Sequence, residues 1–374
     1  MSRPHPQPGV TLTLIQLNRA LLARQHLLQR TGSDASTVIA HLVGMQSQVP
    51  RDPFIGLWSR VEGFQTDDLD RLMLDRLAVR HTLMRGTIHL TTADDAFALQ
   101  PVIAPVVARA VYGSKMYMSG LGEADPVEVA EAGRRLLEQR PLTAKQLGEH
   151  LAQQFPGSTP NALATFTRML VPAVQVTPRG TWNGTQQATF ATTASWLGRL
   201  IEPNGTVEDV IRRYLRAFGP ATVADIQAWS GLTGLRTPVD RMRHSLVAYR
   251  NERGRELFDV EDGVFADPES PAPVRFLPGY DNLTLSHADR TRVIDDAVRK
   301  ALWTPNGAPN PVFLVDGRVA GAWKVEAGSA RTKLALRSFF PVSQEVRIEA
   351  LQEGRRLLDF LAPETEGQVE FVDG

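Results

Sequence analysis

The chain has 374 residues, and its 41 Lys and Arg are matched by 41 Asp and Glu. That balance excludes a simple cationic tail for nucleic acid, so any DNA binding has to come from charge segregated in space. Cysteine is absent, which excludes disulfides, thiolate zinc sites, iron–sulfur clusters and cysteine nucleophiles.

The opening MSRPHPQPGV is polar and proline-rich and leads into helix, so it does not read as a signal peptide. No apolar run reaches the length of a membrane span, and the cytoplasm, with use at the nucleoid, is the expected location. Thr13 is a helix cap ahead of LIQLNRALLARQHLL, and a break at residues 31–34 precedes a second helix over about 35–43. Pro50 and Pro53 lead into FIGLWSRV and the polar helical LDRLMLDRLAV. HTLMRGTIHLTT, with a central Arg-Gly, then predicts a strand or hairpin. These elements form a first winged-helix unit over 11–92.

A second unit, over 126–196, begins with the amphipathic VEVAEAGRRLLEQR. It continues with LTAKQLGEHLAQQF capped by Thr143, a third helix NALATFTRMLV, and a ribbon punctuated by Pro178, Gly180 and Asn183-Gly184. The third, over 205–268, repeats the pattern: VEDVIRRYLRAFG, then VADIQAWSGL after Thr222, then LRTPVDRMRHSLVAY and ELFDVEDGVFAD. The phrases PLTAKQLGEHL and GPATVADIQAW are its clearest internal echo. From about Pro271 the texture changes to a mixed α/β unit over 271–374, with a hairpin near 312–325 around Asp316-Gly317. The expected fold is therefore α+β: tandem winged-helix (helix-turn-helix) domains followed by a mixed unit. Such trihelical units place one helix in the major groove and a ribbon on neighbouring backbone, although winged helices also serve as protein contacts.

Chemistry is sought in the run VGMQSQVPRDP. Two carboxamides two residues apart diverge by about 200° on a helix, given about 3.6 residues per turn, but share a face in an extended segment. Pro50 biases Val49 away from helix, so the run ends the second helix and directs Gln46 and Gln48 into one cleft. Glutamine neither titrates nor attacks readily. It can orient water and aim its dipole at developing positive charge, which suits loss of a cationic alkylated purine through an oxocarbenium-like sugar. The plain alternative is hydrogen bonding at a helix end. No HExxH or ligand-spaced cluster involves the eight histidines, so neither metal nor cofactor is expected.

GMQSQVPRDPFIGLWSRV, RHTLMRGTIHLTTADD, FLPGYDNLTLSHADRTRVI and VFLVDGRVAGAW together resemble the winged-helix DNA-glycosylase superfamily, most closely its AlkZ-like alkylpurine and interstrand-crosslink glycosylases of Streptomyces. The resemblance covers almost the whole chain. It implies a C-shaped arrangement of the winged helices and a catalytic glutamine–x–glutamine motif at Gln46 and Gln48. It also implies a monofunctional hydrolase that leaves an abasic site. Gln48, where the general bacterial branch has aspartate, points to the self-resistance type that unhooks azinomycin-like crosslinks. The implied partner is double-stranded DNA, alkylated or crosslinked, bound by a monomer.

Arg51 and Arg85 flank the distinctive motifs and are candidate phosphate contacts, against the alternative of structural pairs. Asp52 beside Pro53 reads as a capped turn ahead of a carboxylate near the sugar, His89 as an ordinary strand position, and Trp58 as core. Arg318, at the tip of the 312–325 hairpin, is a candidate minor-groove contact. Ser286, His287 and Asp289 lack the geometry of a hydrolytic triad, but His287 is expected to border the DNA-facing cleft. The alternatives to a glycosylase are a non-enzymatic winged-helix DNA-binding regulator and a protein-contact scaffold.

Overall fold

A computed structural model describes residues 6–199, 205–304, 307–327 and 331–372. The first five residues of the proline-rich opening and the last two of the 271–374 unit lie outside them. The fold is α+β, with three sheets among the described residues.

The chain enters through β1 (Thr11–Leu12) and α1 (Leu14–Arg24), where Thr13 and Gln16 form a reciprocal capping box. Then follow α2 (Ala35–His41), β2 (Met45–Gln46), α3 (Asp52–Trp58), α4 (Thr66–Leu74), β3 (Ala78–Thr82) and β4 (Ile88–Thr92). Thr92 caps α5 (Ala93–Tyr112), and α6 (Lys115–Leu121) leads onward. The second set is α7 (Pro126–Gln139), β5 (Leu142–Thr143), α8 (Ala144–Ala152), α9 (Pro160–Leu170), β6 (Ala173–Gln175), β7 (Thr189–Thr192) and α10 (Thr193–Leu197). The third is α11 (Val207–Phe218), α12 (Val223–Ser230), α13 (Arg236–Arg241), β8 (Val247–Asn251) and β9 (Glu256–Asp259). Last come β10 (Arg275–Leu277), α14 (Asn282–Leu285), β11 (Val312–Val315), β12 (Arg318–Ala327), β13 (Arg331–Ser338), α15 (Gln344–Leu361) and β14 (Glu366–Phe371).

The first two sets run helix, short strand, helix, helix, strand, strand, with the short strand paired to the last strand, and the third keeps this order with one bridging residue in place of the short strand. The pairs are β2 with β4, β5 with β7, and a single bridge from Ala221 to Phe258 of β9. This is the order of a winged helix. In the first set it begins at α2, not at α1 as the sequence pattern implies. β1 pairs in parallel with β8, α1 packs on α11, and Arg24 makes a two-pronged buried ion pair with Asp259 at 2.7 Å. The first two helices of the expected 11–92 unit are thus divided between the third and first sets.

The ribbons of the first two sets merge. β3 pairs with β6, giving one six-stranded sheet in the order β2-β4-β3-β6-β7-β5. The C-terminal strands form a five-stranded sheet, β10 to β14, covered by α15. Apolar residues of α2 to α4 share one core with this sheet and α15, including Phe54, Leu57, Phe276, Phe313 and Leu357. The segment before α14 is thereby pressed against the start of α3.

Candidate active site

Asp34 caps α2, its carboxylate accepting the Thr37 N–H at 2.7 Å. Val43 and Gly44 then take positive φ, 56° and 89°, which reverses the chain into β2. A Cβ on Gly44 would lie 2.8 Å from Thr91 Cγ2 and 3.0 Å from the Leu90 carbonyl oxygen, so this turn requires glycine. Gln46 pairs with His89, as Thr143 pairs with Thr189. Gln46 therefore stands on the rung that Thr143 holds in the second set and Thr222, next to the Ala221 bridge, holds in the third. Both threonines cap the following helix at once, through capping boxes. In the first set, residues 47–51 intervene before α3.

Over Gln46 and Ser47 the side chains alternate, and the chain then bends at Gln48 and Val49 and turns at Pro50 and Arg51. The Gln46 side chain is 6% exposed, and its Oε1 accepts from Arg85 Nη2 at 2.6 Å. Ser47 points the other way and is fully buried; its Oγ and carbonyl accept from Arg80 at 2.8 and 2.7 Å. Gln48 is exposed, with Oε1 3.4 Å from the Ile88 N–H that donates to it. Both glutamines thus meet the turn between β3 and β4, Gln46 beneath and Gln48 at the surface.

Beside Gln46 lies a cavity of about 10 Å³, roughly the space of one water molecule. Its lining includes Gln46, Asp52, Arg60, Tyr280, Asp281 and Asn282. Arg60 and Asp281 form a buried two-pronged ion pair at 2.8 and 2.7 Å. Asn282 Nδ2 donates to the Gly44 carbonyl at 2.8 Å, while its Oδ1 is buried without a protein partner. Burial pushes the Asp52 carboxyl up to about 7, and the negative Asp281 adds to this. The Tyr280 N–H, donating to Oδ2 at 3.3 Å, acts against it. An acid that is half protonated near neutrality therefore faces the same cavity as Gln46.

The remaining candidates are scattered. Arg51 is exposed, its guanidinium stacked on the Trp182 ring at 4.5 Å, and among the described residues no hydrogen bond or ion pair takes its edge. Arg85 turns inward, contrary to the phosphate-contact expectation. At φ 56° it spends one terminal nitrogen on Gln46 and the other on the Trp229 carbonyl, and burial, then the nearby Arg290, lowers its pKa to about 10. His287 does not border a cleft. It is 2% exposed, its ring nitrogens meet Ser286 Oγ and the Phe218 carbonyl, and burial followed by Arg292 lowers its pKa to about 3.

The Asp316-Gly317 hairpin forms as expected, with φ of 45° and 74°, but its tip is docked on α1 and not free for a groove. Asn18 Nδ2 donates to the Gly317 carbonyl at 2.9 Å, and Arg19 pairs with Asp316. Arg318 in turn donates to the Thr291 carbonyl at 2.9 Å.

Sequence reasoning passed over the buried partners of the motif: Ser47 with Arg80, Arg60 with Asp281, and Asn282. The signal for the last two was the Tyr-Asp-Asn following Pro278-Gly279, a polar cluster in an otherwise apolar stretch.

Residues 39–360 match the family described as DNA glycosylase AlkZ-like. A curated relative, the interstrand DNA cross-link repair glycosylase of Streptomyces sahachiroi, is 26% identical over 331 residues, covering 81% of this chain and 85% of its own. Among solved structures, the Streptomyces sahachiroi DNA glycosylase AlkZ superposes with a TM-score of 0.78 at 22% identity. That match covers 97% of this chain and all of the other.

Proposed function

The chain belongs to the AlkZ-like DNA glycosylase family, and from that premise we propose that it hydrolyses the N-glycosidic bond of N7-alkylguanine and related cationic alkylpurines in double-stranded DNA. The substrates include bulky adducts and interstrand crosslinks; its Streptomyces sahachiroi relative is an interstrand DNA cross-link repair glycosylase. The enzyme acts as a cytoplasmic monomer. Gln46 and Gln48 carry the reaction: between them they orient a water and supply an amide carbonyl to the positive charge that builds on the sugar. Water oxygen bonds to C1′ as the C1′–N9 bond breaks. The electron pair stays with N9 and neutralises the cationic ring, and the water releases a proton to solvent, leaving an abasic site.

One observation carries the reading: the capping threonine of the other winged helices is replaced by an amide, followed by an insertion that brings a second amide to the surface. Of the DNA-contact candidates, Arg51 keeps an exposed guanidinium edge beside Gln48 and is the proposed phosphate contact.

The test is base release from duplexes carrying N7-methylguanine, a bulky N7 adduct or an N7–N7 crosslink, scored as alkali-labile sites. Wild-type protein releases the base. Gln46→Ala and Gln48→Ala each slow release by on the order of 10²-fold, as removal of an electrostatic donor does elsewhere, while duplex binding persists. Wild-type rates in both variants would refute the residue assignment. No release from any lesion, with tight preference for one undamaged sequence, would favour a regulator.

A further inference from the structure

We propose that Arg85 is a positioning residue that locks the Gln46 amide with its carbonyl turned inward, so that Gln46 offers the reaction only N–H donors. The proposal rests on the reading of Gln46 as part of the active site. A guanidinium can only donate, so the end of the amide 2.6 Å from Arg85 Nη2 is the carbonyl. Among the described residues no protein acceptor takes the Gln46 Nε2 hydrogens. An amide held in this way binds an oxygen, whether of a water or of the sugar-phosphate. Gln48, whose carbonyl has only the long 3.4 Å contact from the Ile88 N–H, is left as the acceptor.

Arg85 is itself held from two sides. Its other terminal nitrogen donates to the Trp229 carbonyl, in the last turn of α12, where helix carbonyls lack helical partners and the dipole favours a cation. Its backbone is met by Gly231, where a Cβ would come within 3.1 Å of the Arg85 nitrogen and 2.7 Å of Val106. The third winged helix therefore reaches across to set the rotamer of a glutamine in the first.

Three unfavourable features coincide at this residue: a non-glycine backbone in the left-handed region, a half-buried cation, and no carboxylate partner among the described residues. Such strain persists where surrounding structure over-determines it and marks functional positions. A phosphate contact would instead need the guanidinium turned outward, and on Arg85 an N–H of each terminal nitrogen is committed to a partner inside the protein.

The experiment compares Arg85→Met, Arg85→Lys, Gln46→Ala and the Gln46→Ala/Arg85→Met double variant in single-turnover release from an N7-methylguanine duplex. Duplex affinity is measured at several salt concentrations, and melting is followed in parallel. Arg85→Met is expected to lower the saturating rate roughly 10- to 100-fold, with affinity and its salt slope unchanged. In the Gln46→Ala background it adds nothing further. If Arg85→Met does not fold, Arg85→Lys carries the test. It retains a cation for the Trp229 carbonyl but not the fork, and the same loss of rate is expected. Weaker binding with a salt slope reduced by about 1 at an unchanged rate would overturn the proposal, as would effects that multiply in the double variant. If Gln46→Ala itself runs at the wild-type rate, the parent reading fails. If Gln46→Ala is slow while the Arg85 variants are not, only this inference fails.

Discussion

The ladders of the first and second winged helices correspond along the three rungs of β6 and β7 and at the short strand, and they differ in function at one position. Ala78 opposite Thr92 corresponds to Ala173 opposite Thr192, and Thr92 and Thr192 both cap the next helix. On the Gln46 rung, the second set has Thr143, which closes directly onto α8. There the side-chain oxygen satisfies a helix N–H and its duty is finished. In the first set the amide is released from capping, and the following helix begins at Asp52 with no side-chain cap. A helix start has been given up for two amides and a buried acid.

The largest expected effect tests what holds the modified rung in place. Arg60→Met leaves Asp281 buried without its partner and should cost about 3–5 kcal/mol in urea unfolding, while the Arg60→Met/Asp281→Leu pair recovers part of it. A loss under about 1 kcal/mol in Arg60→Met would show that the segment before α14 is not braced by this pair.

Next, Gln46→Thr restores the residue of the other two sets. Base release should fall by on the order of 10²-fold with melting unchanged within a few degrees. Retained activity would erase the functional difference between the sets.

The Asp52 carboxyl gives a pH signature. Its folded pKa is raised to about 7 from 3.8, so the native state holds a proton that the unfolded chain has lost. Its contribution is full below about pH 4 and is lost as pH rises towards 7 and beyond. Asp52→Asn should therefore gain roughly 2 kcal/mol relative to wild type on going from pH 5 to pH 8. Parallel stability curves for the two proteins would place Asp52 in a solvated setting.

Smallest, Thr143→Ala should cost about 1 kcal/mol and leave base release untouched. A fall in release would mean that the second set does more than hold the fold.

How much of this was legible in the sequence follows the range of the signal. Thr143 and Thr222 announce their helices because a cap acts within three residues, and Asp316-Gly317 announces its hairpin in the same way. The glutamine run was visible as a composition, and Pro50 announced that the helix had ended, but not that the chain would bend at Gln48 and Val49. The membership of α1 was not legible. Thr13 says where a helix starts but not that β1 will pair with β8, some 240 residues away. Arg85 was misread for a similar reason. An arginine beside a motif looks available to phosphate, and only the left-handed backbone and the approach of α12 send it inward. Asp52 looked like a turn residue because part of what surrounds it comes from the segment around Tyr280, 228 positions on.

The six-stranded sheet has a mechanical consequence. Arg80 opposite Gln175 and His81 opposite Val174 stitch the first two ribbons rung to rung, so this pair of sets behaves as a stiff beam and not as two leaves about a pin. Under the proposed function, with the lesion seated on that side, clearance for an oversized adduct would be set once, when the ladder zips up, and the bending needed to seat the damage would fall to the duplex.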